Sequence, residues 1–211
     1  LRQIALSGMN SQGRIVTKED LLARVYSMPN KFGRVFRAGI RNNPFNPFAS
    51  HLHVVSRNAT GQLVHSSDTL KENLSDFLEK YRLITDAIDI VDARIINIGI
   101  NYSITVDVNE STEAVRQSVN FKIAQYFDIK NFQIDMPIVI SEVQNLVLNT
   151  KGVVSLLELD VVNLPEVVGS NVYSGVSYDP LRYINRGILY PLQGGIFEVK
   201  FPNDDITGRV V

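Results

Sequence analysis

The histidines are the residues of this sequence best suited to bind a metal ion. His51 and His53 are two positions apart, so on a strand their side chains share a face and could reach one metal. A zinc site needs three or four protein ligands, and His65 is the one further histidine in the sequence. The sequence has no cysteine, which excludes thiolate metal sites and disulfides. We therefore interpret the pair as ordinary polar strand residues and predict no metal site.

Three carboxylates form the second candidate cluster. Asp86, Asp89 and Asp92 are spaced three residues apart. Grouped carboxylates can bind a divalent cation, but the glycine-containing spacing of a calcium loop is missing here. The spacing favours a solvated edge or a local turn.

No sequence pattern typical of a catalytic centre is present. The sequence lacks a Gly-x-Ser-x-Gly motif and a Cys-His pair, and Gly194-Gly195 lacks the spacing and lysine of a phosphate-binding loop. Two Asn-Pro-Phe units within residues 42–48 are typical of a proline-stiffened loop. We predict that the protein is not an enzyme and holds no cofactor, although a site assembled only in space stays open.

Composition and charge are those of an ordinary globular protein. Of the 211 residues, 45% are hydrophobic and 20% charged, and 21 basic against 22 acidic side chains give a net charge of −1. This balance excludes a strongly basic nucleic-acid-binding protein. No apolar run approaches the ~18 residues of a membrane-spanning helix, so we expect no membrane insertion. A start at Leu1 rather than Met indicates a piece of a longer protein.

Capping residues and hydrophobic periodicity predict the main elements. Thr17 and Asp20 form a capping box before a helix, and Thr69 with Glu72 begins a second helix over residues 68–82. Over residues 96–108, apolar and polar side chains alternate without a break, which predicts a long strand with one buried and one polar face. Such alternation is typical of an antiparallel or mixed sheet rather than a doubly wound parallel one.

The order of elements predicts an α+β fold with mixed or antiparallel sheets, helices packed on one face, and two small subdomains. We expect an N-terminal α+β subdomain over residues 1–85 and an α+β sandwich subdomain over residues 86–168. An irregular extension with a final strand follows over residues 169–211. Its Gly, Ser, Asn, Tyr and Pro content and its length indicate more than a simple connector.

The sequence resembles the baseplate J-like family of contractile phage tails. The order of several motifs between residues 13 and 164 carries the resemblance. These motifs are the helix start at residues 14–21, Met28-Pro29, residues 33–38, the strand at residues 95–108, Tyr126-Phe127, residues 137–143 and Gly152-Val153-Val154. Within the family, the polar insertions look closest to the baseplate wedge proteins of T-even type phages.

The resemblance implies a structural role. It implies a wedge subunit domain that self-associates, as a homodimer or a ring of dimers, and links other baseplate wedge proteins into a ring. The expected location is the virion tail, after assembly in the host cytoplasm. The alternative is an α+β enzyme or a small-ligand-binding domain with a purely spatial site, to which His51, His53 and the three aspartates would contribute.

Residues 168–190 are the predicted self-association surface. This loop-like stretch holds more apolar and tyrosine side chains than one small core can take up, and tyrosines are enriched at interfaces. The predicted interface residues are Val172, Tyr173, Val176, Tyr178, Leu181, Tyr183, Ile184 and Tyr190. The alternative is that the stretch folds back over its own sheet.

Overall fold

A computed structural model describes residues 14–43, 46, 49–83 and 87–211. The chain forms two compact units, which divide between Ala93 and Arg94. Within the described ranges, no helix is long and apolar enough to cross a membrane.

The first unit packs two helices against a mixed sheet. Its elements are α1 (Lys18–Ser27), a 3-10 turn (Asn30–Phe32), β1 (Arg37–Asn42), β2 (Ala49–Arg57), β3 (Leu63–Val64), α2 (Asp68–Glu79) and β4 (Ala87–Asp92). Strands β1 and β3 pair antiparallel with β2, whereas β4 pairs parallel with it. Leu21, Val25, Leu52, Val54 and Leu74 are among the buried side chains of its core.

The first helix begins as predicted and the second does not. The Thr17 hydroxyl accepts a hydrogen bond from the Asp20 amide, and the Asp20 carboxylate accepts one from the Thr17 amide, each at 3.1 Å. For α2, however, the cap is Ser67, whose hydroxyl accepts from the Leu70 amide at 3.3 Å. Thr69 lies inside the helix, because the chain already turns at Ser67.

The second unit is built around one long strand. Its elements are β5 (Arg94–Val106), α3 (Thr112–Tyr126), β6 (Ile138–Val139), α4 (Ile140–Leu148), β7 (Val153–Asn163), β8 (Val167–Val168), β9 (Asn171–Val172), α5 (Pro180–Tyr183), β10 (Ile184–Asn185), β11 (Ile188–Leu189), β12 (Gly195–Glu198), α6 (Pro202–Asp205) and β13 (Ile206–Val210). Strand β7 pairs antiparallel with β5, and β12 and β13 pair parallel with it. The predicted α+β class with mixed sheets is confirmed.

Strand β5 differs from the prediction in two respects. The apolar face is buried from Ile96 to Ile104, and its Tyr102 hydroxyl donates to the Arg116 carbonyl in α3 at 3.2 Å. The predicted strand is too long at its end, because β5 stops at Val106 and Val108 is fully exposed. The other face is polar and exposed at Asn101 but fully buried at Asn97 and Gly99. Later segments of the chain cover that end, so the predicted polar face exists but is only partly exposed to water.

Candidate assembly surface

Residues 164–194 leave the sheet and return to it, and we call this segment the excursion. It contains the β8–β9 ribbon, helix α5 and the β10–β11 hairpin, whose second strand also pairs with β6. Arg186 and Gly187 have positive φ values of 51° and 76°, which close the hairpin in a tight turn. The excursion is thus folded rather than an open loop.

Two asparagine side chains of the sheet hold the start of the excursion. The Asn97 side-chain carbonyl accepts from the Ser174 amide at 2.7 Å, and its side-chain amide donates to the Glu198 carboxylate at 2.8 Å. The Asn163 side-chain carbonyl accepts from the Tyr178 amide at 2.8 Å, and its side-chain amide donates to the Asn97 backbone carbonyl at 2.9 Å. Because Asn97 is only 1% exposed, these bonds form away from water.

A buried tyrosine–aspartate pair provides a second attachment. The Tyr173 hydroxyl donates to the Asp205 carboxylate at 2.5 Å, and the Phe201 amide donates to the same carboxylate at 2.7 Å. Burial raises the pKa of the Asp205 carboxyl above its usual value and raises the pKa of Tyr173 to about 12. Both groups pack inside their own unit, where the Tyr173 ring meets Phe201 edge to face.

Tyr178 is the third attachment. Its hydroxyl donates to the Tyr190 carbonyl at 2.5 Å, and its ring stacks on Tyr183 and meets Phe197 edge to face. Burial raises the pKa of its phenol well above the usual range. Its side chain is 5% exposed, so it belongs to the core of its own unit.

The structure therefore divides the predicted interface residues into two groups. Tyr173 and Tyr178 are buried within the unit and Val176 is half-buried. The other predicted residues are exposed, namely Val172, Leu181, Tyr183, Ile184 and Tyr190. The sequence did not identify Asn97 or Asn163 as contact residues. An asparagine that hydrogen-bonds to a distant segment and an asparagine that faces water look the same in a strand sequence.

Four of the exposed residues lie in or beside the β10–β11 hairpin, and we call them the tyrosine patch: Leu181, Tyr183, Ile184 and Tyr190. The Tyr190 amide donates to the Tyr183 carbonyl at 3.0 Å, which brings these two residues together beside Ile184. Leu181, on the preceding helical turn, is 84% exposed. A cluster of this composition on the surface of a unit is typical of a protein–protein contact.

The histidine pair lies in the first unit. The rings of His51 and His53 meet edge to face with centroids 6.1 Å apart, and His51 Nε2 is 3.8 Å from an Asp89 carboxylate oxygen on the paired strand. His65 is exposed beyond β3. Throughout the described ranges, no group of three or more histidine, aspartate or glutamate side chains is placed to hold a metal ion.

The three aspartates do not share one environment. Asp92 accepts from the Lys71 ammonium at 2.9 Å and from the Ser66 amide at 3.2 Å, so it ties α2 and its N-terminal connection to β4. Asp89 faces His51 and accepts from the Asn43 side chain at 3.3 Å. Asp86 lies outside the described residues, as do the proline and phenylalanine residues of both Asn-Pro-Phe units.

Comparison with known proteins gives a structural neighbour without a sequence relative. No protein-family model matches the chain, and no curated protein sequence matches it. Among solved structures, the chain is similar to a chain of the anti-feeding prophage (AFP) baseplate, a six-fold symmetrised cryo-EM structure, with a TM-score of 0.53 and 12% sequence identity. The match covers 77% of this chain, more than either unit contains, and 36% of that chain. The chain thus spans about a third of that chain's length and shares the fold of the part that it covers.

Proposed function

We propose that this chain is a non-enzymatic structural module of a contractile-tail baseplate, as part of a wedge subunit of the T-even type. The observation that carries the proposal is the fold shared with a chain of the AFP baseplate over most of this chain. That assembly is six-fold symmetrised, and a module of such a ring must contact its neighbours. The motif order of the baseplate J-like family supports the same role.

The tyrosine patch supports the self-association part of this proposal. All four of its side chains are exposed, and Leu181 is the most exposed of them. Hydrogen bonds of Tyr173, Ser174 and Tyr178 fix the segment that carries these side chains. A rigid surface loses little conformational entropy on binding, so apolar and tyrosine side chains held in this way favour association. We propose that the patch packs against a second copy or another baseplate wedge protein in the virion tail, after assembly in the host cytoplasm.

Two serine variants of the excursion test this surface. Leu181→Ser with Ile184→Ser removes exposed apolar area, and each substitution at an interface centre costs roughly 1 kcal/mol or more of binding, so self-association should weaken at least tenfold. The thermal midpoint should stay nearly unchanged, because neither side chain is buried in the unit. Sedimentation equilibrium over a concentration series measures the first effect and calorimetry the second.

Tyr178→Ser is the matched control within the same segment. Because its ring is buried, this substitution should lower the free energy of unfolding by about 3–5 kcal/mol in dilute monomer. Immunogold labelling of purified virions tests the location. A chain that stays monomeric at high concentration and is missing from labelled tails would contradict the proposed function.

A further inference from the structure

Strands β7 and β13 are the two edges of the sheet in the second unit. Both pair with residues 100–104 of β5, so they lie on opposite sides of that strand. Among the described residues, no strand pairs with the outer side of either one. An unpaired edge presents N–H and C=O groups that can pair with another strand.

On β7, the outward groups belong to the residues that face the helices. The Leu164 amide donates to the Asn97 carbonyl at 3.0 Å, which fixes which residues bond to β5 in this antiparallel pair. Asp160 and Glu158 therefore bond to β5, and Leu159 and Val161 direct their N–H and C=O groups outward. Leu159 lies opposite Tyr102, on the face covered by α3.

On β13 too, the outward backbone groups belong to the residues that face the helices. The Val211 amide donates to the Ile104 carbonyl at 3.0 Å, so in this parallel pair Thr207 and Arg209 bond to β5. Gly208 and Val210 then direct their backbone groups outward. Gly208 lies opposite Tyr102, so these residues also face the helices.

The two edges therefore match each other. When two edges pair antiparallel, the residues whose N–H and C=O groups point out of each edge lie opposite one another, and their side chains are on the same face. Placing β13 of one copy beside β7 of another sets Gly208 and Val210 against Leu159 and Val161 and puts the helices of both copies on one side. On the opposite face, Arg209 lies across from Asp160 or, two residues along the strand, from Glu158.

Charge selects this pairing over others. Glu158, Asp160 and Arg209 are exposed, and the described residues form no ion pair with any of them. Two β7 edges brought together would place carboxylates against carboxylates, which is unfavourable. Arg209 on β13 supplies the opposite charge at the same face.

We infer that β7 of one copy pairs antiparallel with β13 of a second copy, so that the sheets of neighbouring units join edge to edge. The inference rests on the proposed self-association and names a second surface for it, in addition to the tyrosine patch. Because two different edges meet, the contact is head-to-tail and continues into a ring or an open row rather than closing as a two-fold dimer. Leu157 forms a bulge in β7, which confines the regular pairing to residues 158–163.

Charge reversal on the full chain tests the pairing. Glu158→Lys with Asp160→Lys, and separately Arg209→Glu, should each weaken self-association about tenfold, because attraction across the strands becomes repulsion. Mixing the two variants should restore association, since each supplies the edge that complements the other. Lys151→Glu is the control, because it reverses an exposed charge in the turn before β7 whose partner, Glu110 at 3.0 Å, belongs to the same unit. Sedimentation velocity gives the association, and thermal midpoints show that each variant is folded.

The outcomes separate this inference from the proposed function. If the wild-type chain associates and both edge variants associate equally well, the edge pairing is refuted while the proposed function stands. Weakened variants that do not rescue each other on mixing also refute the pairing, because the charges then act on something else. A wild-type chain that stays monomeric refutes the pairing together with the proposed self-association.

Discussion

Asn97→Ala should loosen the attachment of the excursion at Ser174 and destabilise the second unit. The substitution removes the acceptor of the half-buried Ser174 amide and one donor to the buried Glu198 carboxylate. Losing the bond from the Ser174 amide costs about 0.5–1.5 kcal/mol and losing one bond to the charged Glu198 about 1.5–3 kcal/mol, so the loss should total about 2–4.5 kcal/mol. The Asn97 backbone carbonyl keeps its bonds from Leu164 and Asn163, so β5 itself should stay paired.

Asn101→Ala is the matched control, since Asn101 has the same residue type, strand and face as Asn97 but is exposed. It should change stability by less than ~0.5 kcal/mol. Urea unfolding measures the free energies, and hydrogen exchange of the Ser174 amide reports directly on the lost bond. Equal, small effects of the two substitutions, with the Ser174 amide still protected, would show that Asn97 does not hold the excursion.

Two further outcomes follow from the packing around Tyr102. Burial raises the pKa of Tyr102 from 10.0 to about 12. The folded state therefore favours the neutral phenol, and the stability that this gives is present below pH 10 and is lost as the pH rises through about 12. Urea unfolding over that pH range should show a shallower fall in the free energy of unfolding for Tyr102→Phe than for wild type. Gly208→Ala should cost about 1–3 kcal/mol, because its β-carbon would lie 2.2 Å from the Tyr102 ring, whereas Gly175→Ala has open space and should be near neutral by the same measurement.

The sequence predicted features that depend on local spacing. The capping box at Thr17 and Asp20 needs residues three apart, and the buried face of β5 needs only its period of two. Local signals failed where two candidates compete over a short distance. Ser67 and Thr69 can both cap a helix, and the structure uses Ser67. The choice depends on where the chain turns after β3, and the types of these two residues do not determine that point.

The excursion could not be divided into core and surface from its composition. Tyr173 and Tyr183 are the same residue type in the same segment, yet one donates to a buried Asp205 and the other is 39% exposed. Which tyrosine enters the core depends on the asparagines of β5 and β7, far away in the sequence. For the same reason, Asn97 and Asn101 look alike in the alternating pattern although one is buried.

The parallel pairing of β12 and β13 with β5 has a consequence for the order in which the protein can fold during synthesis. The described strands of the first unit are all made before Arg94, whereas one side of β5 has to wait for Gly195 and the residues after it. Pairing between segments so distant in the chain is slow, because loop closure precedes the contacts that stabilise it. A nascent or truncated chain that stops before Gly195 leaves that side of β5 open to strands of other chains. We therefore expect protection by chaperones to matter most until Gly195 and the residues after it have been synthesised.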